Sequence, residues 1–404
     1  MPIDRIPLSE YASRRTKLIA TLKGTVGLIF AGKPADPLHD SFRPHPHFEY
    51  FTGIVDEPGA ILLLDPTNKI TSRQVMLLLE PLNREVEKWD GYRLEINKQL
   101  RDKIGINTIF RVDALGRWLN DAAKRSRRVA CLHPLANFDQ PISPDLEVFR
   151  KVAERIPGVK IDDQTEAVAK MRAVKSKNEI ALIQRAIDIT AVGYTAMFKG
   201  VKPGINEFAV QELLEHGYRT NGSRGPAYGS ICGSGINSTV LHYQANDQEI
   251  TKGDLICIDS GASFGGYGAD ITRTVPANGK FNNRQREIYE IVLKAELAAI
   301  KAVKAGATFA KIDKAARDII NKAGFGDYYI HGIGHHLGLE THDITPDSPL
   351  KTGAVITIEP GIYIPKEKIG VRIEDNILVT KDGCKNLSTK IPKTIAAVEK
   401  AMKV

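Results

Sequence analysis

The chain repeats the stretch Gly253-Asp254-Leu255-Ile256-Cys257-Ile258-Asp259-Ser260-Gly261 one hundred residues later, as Gly353-Ala354-Val355-Ile356-Thr357-Ile358-Glu359-Pro360-Gly361. Both glycines and two isoleucines match, and each copy carries an acidic residue at the same place. His242 and His342 stand at the same spacing. The shared offset predicts a duplicated α+β unit, whose two copies face each other about a pseudo-twofold axis around one central site.

A further match lies upstream, where Val201-Lys202-Pro203-Gly204 aligns with Val303-Lys304-Ala305-Gly306 between helical stretches. The long helix before the first of these has a clear start. Ser176 is followed three residues later by Glu179, which is a capping-box pattern, and amphipathic sequence continues to about Phe198. This change of character near residue 170 predicts a domain boundary at about residue 172.

The N-terminal domain, residues 1–172 in this division, alternates apolar runs with charged ones. We predict strands at 25–31, 60–64, 75–79 and 129–132, and helices at 8–23, 85–103 and 115–126. Such alternation is typical of an α/β domain with a largely covered sheet. The expected architecture is therefore an α/β N-terminal domain followed by the duplicated α+β domain, residues 173–404.

Composition excludes several classes of protein. The 404 residues carry a formal charge of +8, but the basic residues are dispersed, so we expect no nucleic-acid partner. No segment approaches the roughly 20 continuous apolar residues of a membrane span, and the charged first 22 residues do not resemble a signal peptide. The four cysteines form no CxxC pair, which indicates neither a zinc knuckle nor a disulfide framework and favours a cytoplasmic location.

The acids of the repeat point to a cation. Asp259 and Glu359 each end an apolar strand, where an unpaired buried charge costs several kcal/mol. A second acid follows each of them on a predicted return strand: Asp270 after the first and Glu374 after the second. Four converging carboxylates repel one another unless metal ions or protons lie between them.

A nitrogen ligand is available in the segment His331–Asp343, which holds four of the ten histidines and several glycines. A single histidine is more often a surface or core residue, but four between glycines favour a site. Carboxylates with one imidazole suit Mn²⁺, with Co²⁺, Fe²⁺ or Zn²⁺ as alternatives. Two ions about 4 Å apart can turn a shared water into a bridging hydroxide that attacks a carbonyl. The chain has no Walker or HExxH motif that would indicate another mechanism.

Four stretches in order, IDSGASFGGYGADITRTV (258–275), HGIGHHLGLETHD (331–343), IEPGIY (358–363) and VRIEDN (371–376), resemble the active-site blocks of the pita-bread metallopeptidases. That family includes aminopeptidase P, prolidase, methionine aminopeptidase and the metal-free creatinase. The resemblance implies a pita-bread catalytic domain with two divalent ions. It implies five metal ligands: Asp259, Asp270, His335, Glu359 and Glu374, with Asp270 and Glu374 bridging. Because the set is complete, creatinase and the non-catalytic binding modules are disfavoured.

The same resemblance implies catalytic roles for further residues. His242 and His342 would bind the substrate backbone and the tetrahedral intermediate, and His331 would line the proline side of the site. Arg372 resembles the arginine beside the bridging glutamate, and Glu359 would relay a proton to the leaving nitrogen. His336 matches no family role.

The N-terminal half narrows the expected activity. Phe42-Arg43-Pro44, Phe48–Gly53 and Glu87–Arg93 resemble the N-terminal domain of aminopeptidase P, which methionine aminopeptidases generally lack. We therefore expect an aminopeptidase that hydrolyses the Xaa-Pro bond at the N-terminus of peptides. Because the Gly332–His336 segment is also prolidase-like, an Xaa-Pro dipeptidase is the alternative, and a peptide-binding module is less favoured. The resemblance also implies a homo-oligomer, a dimer or tetramer, and the proline- and histidine-rich residues 38–47 predict a surface turn.

Overall fold

The computed structural model describes residues 5–34 and 42–403. Two compact units are present, Ile6–Arg172 and Ala173–Val404. The first part of the turn predicted at residues 38–47 lies outside the described residues, and its end, Pro46–His47, begins a helix. Within the two described stretches, no helix combines the length and the apolarity that crossing a bilayer requires.

The N-terminal unit is built on one mixed sheet. Its strands are β1 (Val26–Phe30), β2 (Ile61–Leu64), β3 (Val75–Leu79), β4 (Thr108–Arg111), β5 (Arg128–Cys131) and β6 (Lys160–Asp163). Its helices are α1 (Leu8–Leu22), α2 (Pro46–Thr52), α3 (Arg84–Asp90), α4 (Lys98–Ile104), α5 (Leu115–Ser126), α6 (Pro144–Arg155) and α7 (Thr165–Ala173). The sheet order is β4-β3-β2-β1-β5-β6, and leucine, valine and isoleucine side chains of the central strands form the core.

The predicted strands are all present, whereas the two outer strands were missed. β4 and β6 lie at the edges and keep polar, half-exposed side chains, so they lack a continuous apolar run. The prediction of a single helix at 85–103 is wrong. The chain forms two short helices there, because Gly91 ends α3 with φ 95° and Asn97 starts α4 by accepting a hydrogen bond from the Leu100 N–H.

The C-terminal unit contains the predicted duplication. Its first half consists of α8 (Lys177–Gly200), α9 (Glu207–Thr220), β7 (Ile231–Ser234), β8 (Leu255–Asp259), β9 (Ser263–Phe264), β10 (Tyr267–Gly268) and β11 (Thr272–Pro276). Its second half consists of α10 (Asn283–Ala302), α11 (Phe309–Lys322), β12 (Val355–Ile358), β13 (Gly361–Ile364), β14 (Ile369–Arg372), β15 (Asp375–Val379) and β16 (Cys384–Asn386), followed by α12 (Ile395–Ala401). The α8 helix starts with the predicted Ser176–Glu179 capping box.

Equivalent hydrogen bonds support the duplication. In the first half the Gly204 N–H donates to the Ile250 carbonyl at 2.8 Å, and in the second half the Gly306 N–H donates to the Leu350 carbonyl at 2.8 Å. Both glycines have positive φ, 87° and 83°, which a side chain would disfavour at this turn between two packed helices. The two halves therefore share the same turn between their paired helices, as the duplication predicts.

Each half ends in a nested hairpin that positions the acids. β8 pairs with β11 around the small β9–β10 hairpin, and β12 pairs with β15 around the β13–β14 hairpin. In the first outer pair Asp259 lies opposite Thr272, and in the second Ile358 lies opposite Asp375. The acids of each half therefore lie where the outer strands meet the inner hairpin. Arg273 joins the halves by donating to the Glu374 carbonyl at 2.6 Å and pairing with Asp375 at 2.7 Å.

Three histidines form a buried cluster in the N-terminal unit. The His45 ring lies 4.8 Å from His47 and 4.4 Å from His133. Each ring accepts a hydrogen bond: His133 from the Phe30 N–H, His45 from the His47 N–H, and His47 from the Arg172 guanidinium. Protonation of any of these acceptor nitrogens would remove its hydrogen bond, so the folded unit requires neutral rings.

This cluster makes the N-terminal unit acid-sensitive. Burial lowers the pKa of His45 to about 3, and it also lowers the pKa of His47 and His133. Below the ordinary histidine pKa of about 6.5 the unfolded chain therefore binds more protons than the folded unit, so stability falls as the pH drops. The limiting slope is about 1.4 kcal/mol per pH unit for one fully shifted histidine. Both tryptophans, Trp89 and Trp118, lie in this unit, so fluorescence-detected denaturation at pH 7.5 and 5 measures it selectively.

A matched pair of variants isolates the histidine contribution. His45→Asn keeps a side chain that can cap α2 but cannot titrate, so its stability should fall less steeply with acid than that of the wild type. His216→Gln, at an exposed position on α9 in the other unit, should leave the tryptophan-detected slope unchanged. Equal stability of the wild type at pH 7.5 and 5 would contradict the prediction.

Candidate metal centre

A cavity of 570 Å³ opens inside the C-terminal unit and collects the residues predicted from the repeat. The residues that line it include every one named as a ligand or catalytic group: His242, Asp259, Asp270, His331, His335, His342, Glu359, Arg372 and Glu374. The remaining lining residues include Tyr228, Ile231, Leu241, Gln244 and Thr341. Residues distant in sequence therefore meet in one concave site.

The nested hairpins explain why the acids converge. Asp259 is the last residue of β8, Asp270 precedes β11, Glu359 follows β12 and Glu374 lies between β14 and β15. The two halves touch at Thr272, whose carbonyl accepts from the Glu374 N–H at 3.1 Å and whose hydroxyl donates to the Glu374 carboxylate at 2.7 Å. Each acid thus sits where a strand turns, with its backbone held by the sheet.

The donor atoms lie close enough to share a cation. Ligand atoms of Asp270, His335 and Glu374 all fall within 4.8 Å of one another. The His335 Nε2 atom lies 3.4 Å from the Asp270 carboxylate and 3.4 Å from the Glu359 carboxylate. Asp259 joins the group through a shared partner, since the Tyr228 hydroxyl lies 2.5 Å from oxygens of both Asp259 and Asp270.

The orientation of His335 is set by the backbone. Its Nδ1 atom lies 3.0 Å from the His336 carbonyl, and because a carbonyl can only accept, Nδ1 carries the proton. The Nε2 atom, which is the nitrogen left for a metal ion, is therefore directed toward the carboxylates. A hydrogen bond of this kind on the remote nitrogen is the usual way in which a protein fixes a histidine for metal binding.

The electrostatics of the cluster favour a cation. Burial raises the pKa of Asp270, although a hydrogen bond with His335 opposes the shift. Burial, followed by repulsion from neighbouring carboxylates, raises the pKa of Glu374 well above its ordinary range. Burial also raises the pKa of Glu359, to about 7. Although burial opposes it, the Asp270 carboxylate raises the pKa of His335 to about 9. Without metal the site binds protons, and oxygen donors with a single imidazole are the chemistry that Mn²⁺, Co²⁺ or Fe²⁺ accepts.

Arg372 offsets part of this negative charge. Its guanidinium donates to the Asp259 carboxylate at 2.8 Å, to the Thr272 hydroxyl at 3.0 Å and to the Tyr363 hydroxyl at 3.0 Å. The resemblance places this arginine beside Glu374. The side chain meets Glu374 through the Thr272 hydroxyl, and it contacts Asp259 directly.

The other histidines take distinct positions. His331 is joined to Arg372 through Tyr363, whose hydroxyl lies 2.8 Å from His331 Nε2 and accepts a hydrogen bond from Arg372. The His342 ring lies 4.1 Å from that of His335. His336, which had no expected role, is buried outside the cavity lining, with its ring against Phe309.

Sequence reasoning missed Tyr228 and Tyr363. Tyr228 lies in a loop between α9 and β7, where no periodic pattern exists to mark it. Tyr363 lies on β13, within the IEPGIY stretch, and a signal for it was available, because it follows Glu359 and Gly361 at every second position of an extended segment.

Fold and site together define a two-domain metallopeptidase. The metallopeptidase family M24 profile matches residues 181–381, and the aminopeptidase P N-terminal domain profile matches residues 11–130. An Xaa-Pro aminopeptidase from Haemophilus influenzae is 32% identical over 98% of both chains. The structure of aminopeptidase P from Escherichia coli with the inhibitor Pro-Leu has a TM-score of 0.87 at 30% identity and covers 98% of both chains.

The chain belongs to the Xaa-Pro aminopeptidase family of the M24 metallopeptidases. The predicted family, fold and enzyme class, a metal-dependent hydrolase that uses divalent ions, are confirmed. The prolidase alternative is less supported. An Xaa-Pro dipeptidase from Pyrococcus furiosus is more similar, at 44% identity, but only over 57% of this chain and 66% of its own.

The cluster geometry predicts the effect of losing one carboxylate. Asp270→Ala removes an acid that lies within reach of His335, Tyr228 and the Glu374 ligand atom, so stoichiometric metal binding and peptide hydrolysis should both be lost. Equilibrium dialysis with elemental analysis measures the first, and a peptide assay measures the second. Asp318→Ala, at an exposed position on α11, serves as the control. Full activity with two ions bound in the Asp270 variant would refute the metal-bridge assignment.

Proposed function

We propose that the protein removes the N-terminal residue from peptides whose second residue is proline. The observation that carries this proposal is the single cavity in which five potential metal ligands meet three histidines and an arginine. Similarity to Xaa-Pro aminopeptidases along almost the whole chain supports the same substrate class.

In this proposal, Asp259, Asp270, His335, Glu359 and Glu374 hold two divalent ions, with Asp270 and Glu374 shared between them. Mn²⁺ is the proposed ion, with Co²⁺, Fe²⁺ and Zn²⁺ as alternatives, because the donor set is dominated by carboxylate oxygens. Such ions, when bound, polarise a carbonyl and lower the pKa of water.

The chain's own residues then bind the peptide and move protons. Glu359 is the proposed proton relay to the leaving proline nitrogen, because its carboxylate lies in the cavity beside the other ligand residues, 3.4 Å from His335 Nε2. His242 and His342 line the cavity and would donate hydrogen bonds to the substrate backbone. His331 is proposed for the proline side, and Arg372 orients Asp259 at the cavity wall by donating a hydrogen bond to its carboxylate.

The preferred substrate length tests the proposed activity. An aminopeptidase of this type should hydrolyse Xaa-Pro-Xaa tripeptides and longer peptides, whereas a prolidase should prefer Xaa-Pro dipeptides. Initial rates with Mn²⁺ on Ala-Pro-Ala and Ala-Pro, followed by detection of released alanine, measure the preference. Faster cleavage of the dipeptide would favour the prolidase alternative, and a matched Ala-Ala-Ala peptide should be a poor substrate.

We also propose that the protein is a cytoplasmic homo-oligomer, a dimer or tetramer. Free cysteines, Cys131, Cys232, Cys257 and Cys384, are compatible with a reducing compartment. Trp89 and Tyr92 leave more than four fifths of their surfaces exposed, at 89% and 82%, which favours burial in a contact between copies. Light scattering after size-exclusion chromatography should give a mass of at least twice 44.5 kDa, and Trp89→Ser should lower it.

A further inference from the structure

We propose that Lys175 is a positioning residue for His335 and His342, acting through a buried ion pair with Asp343. The proposal rests on the metal centre proposed above, and it assigns a role to a residue that lies outside the cavity lining. Lys175 directly precedes the cap of α8, and Asp343 directly follows His342. The two residues are 168 positions apart in the chain.

The pair is buried to an unusual degree. The Lys175 ammonium lies 2.9 Å from the Asp343 carboxylate, and the two side chains are only 1% and 2% exposed. Lysine is among the residues that are least often fully buried, and desolvating two charges costs several kcal/mol, so stability alone does not account for such a pair. A buried charged pair can instead select one arrangement of the chain.

The segment that the pair holds carries the site histidines. The Asp343 N–H donates to the His336 carbonyl at 2.9 Å, which closes residues 336–343 into a loop. The same His336 carbonyl accepts from His335 Nδ1 at 3.0 Å. A shift of Asp343 would therefore move the acceptor that orients the His335 ring, and it would also move His342, its neighbour in sequence.

The packing around the pair leaves little freedom. A Cβ atom on Gly338 would lie 2.2 Å from the Asp343 carboxylate and 3.1 Å from the Lys175 side chain. On the backbone side, the Lys175 N–H donates to the Gly353 carbonyl at 2.9 Å, next to the start of β12. Lys175 thus links the beginning of the catalytic unit, the second half of the repeat and the histidine loop.

The test uses the full chain, freed of metal with a chelator and titrated with Co²⁺. Lys175→Met/Asp343→Asn removes both charges of the pair together and keeps the side-chain volumes close to those of the wild type. Co²⁺ affinity should fall about 10- to 100-fold, as expected when a residue that orients a ligand is lost. The visible absorption bands of bound Co²⁺ should shift, because they report ligand geometry, and kcat should fall more than KM rises.

The matched control is Lys390→Met/Asp188→Asn, which removes a lysine and aspartate pair of the same unit at a more exposed position. It should bind Co²⁺ like the wild type. Co²⁺ affinity within twofold of the wild type, together with unchanged absorption bands, in the Lys175/Asp343 variant would overturn the proposal. These binding results decide it whether or not the wild type cleaves Ala-Pro-Ala, and failure of the wild type to cleave any Xaa-Pro peptide would refute the proposed function alone.

If circular dichroism shows that the double variant does not fold, Gly338→Ala decides the question. This substitution retains both charges and displaces the Asp343 carboxylate through the added methyl group. Reduced Co²⁺ affinity with retained secondary structure supports the proposal, and wild-type affinity overturns it.

Discussion

Mutual repulsion among buried carboxylates is the constraint on which the C-terminal unit depends. Asp270, Glu359 and Glu374 are held so close that burial and neighbouring charge raise the pKa of each. A chain adopts such an arrangement only when its backbone leaves no alternative and a cation or protons offset the charge. The outer strand pairs, together with hydrogen bonds from Thr272, Arg273 and Arg372, hold these groups at a fixed separation.

Duplication solves this problem with one structural element used twice. Each half supplies a strand that ends near the site and a return strand that leads away from it, so the sheet hydrogen bonds fix the acids in register. Two arginines then link the halves. Arg273 donates a hydrogen bond to the backbone carbonyl of Glu374, and Arg372 forms an ion pair with Asp259 at the cavity wall. The metallopeptidase chemistry is therefore a property of the contact between the halves rather than of either half.

The sequence was informative where pattern and chemistry coincide. Repeated glycines and acids predicted the hairpins, and four histidines among glycines predicted the ligand segment, because these residue types are unusual at the ends of apolar strands. It was uninformative where a contact joins distant residues without a pattern. Tyr228 lies in an irregular loop, and Lys175 meets Asp343 across 168 positions, so only the folded chain reveals them. The outer strands of the N-terminal sheet escaped detection for a related reason, since their half-exposed side chains lack periodicity.

The nested hairpins also keep the acids at the ends of the outer strands and off the strands of the inner hairpins. The inner hairpin has two-residue strands in the first half and four-residue strands in the second, yet the outer strands pair in the same way around both. An insertion or deletion at the tip of an inner hairpin can therefore be accommodated without changing the register of the outer strands that carry the acids. Tyr363, on the longer inner hairpin, already contacts both His331 and Arg372. A change in the inner hairpin can therefore alter the surroundings of His331 while the outer strand pairs keep the acids in place.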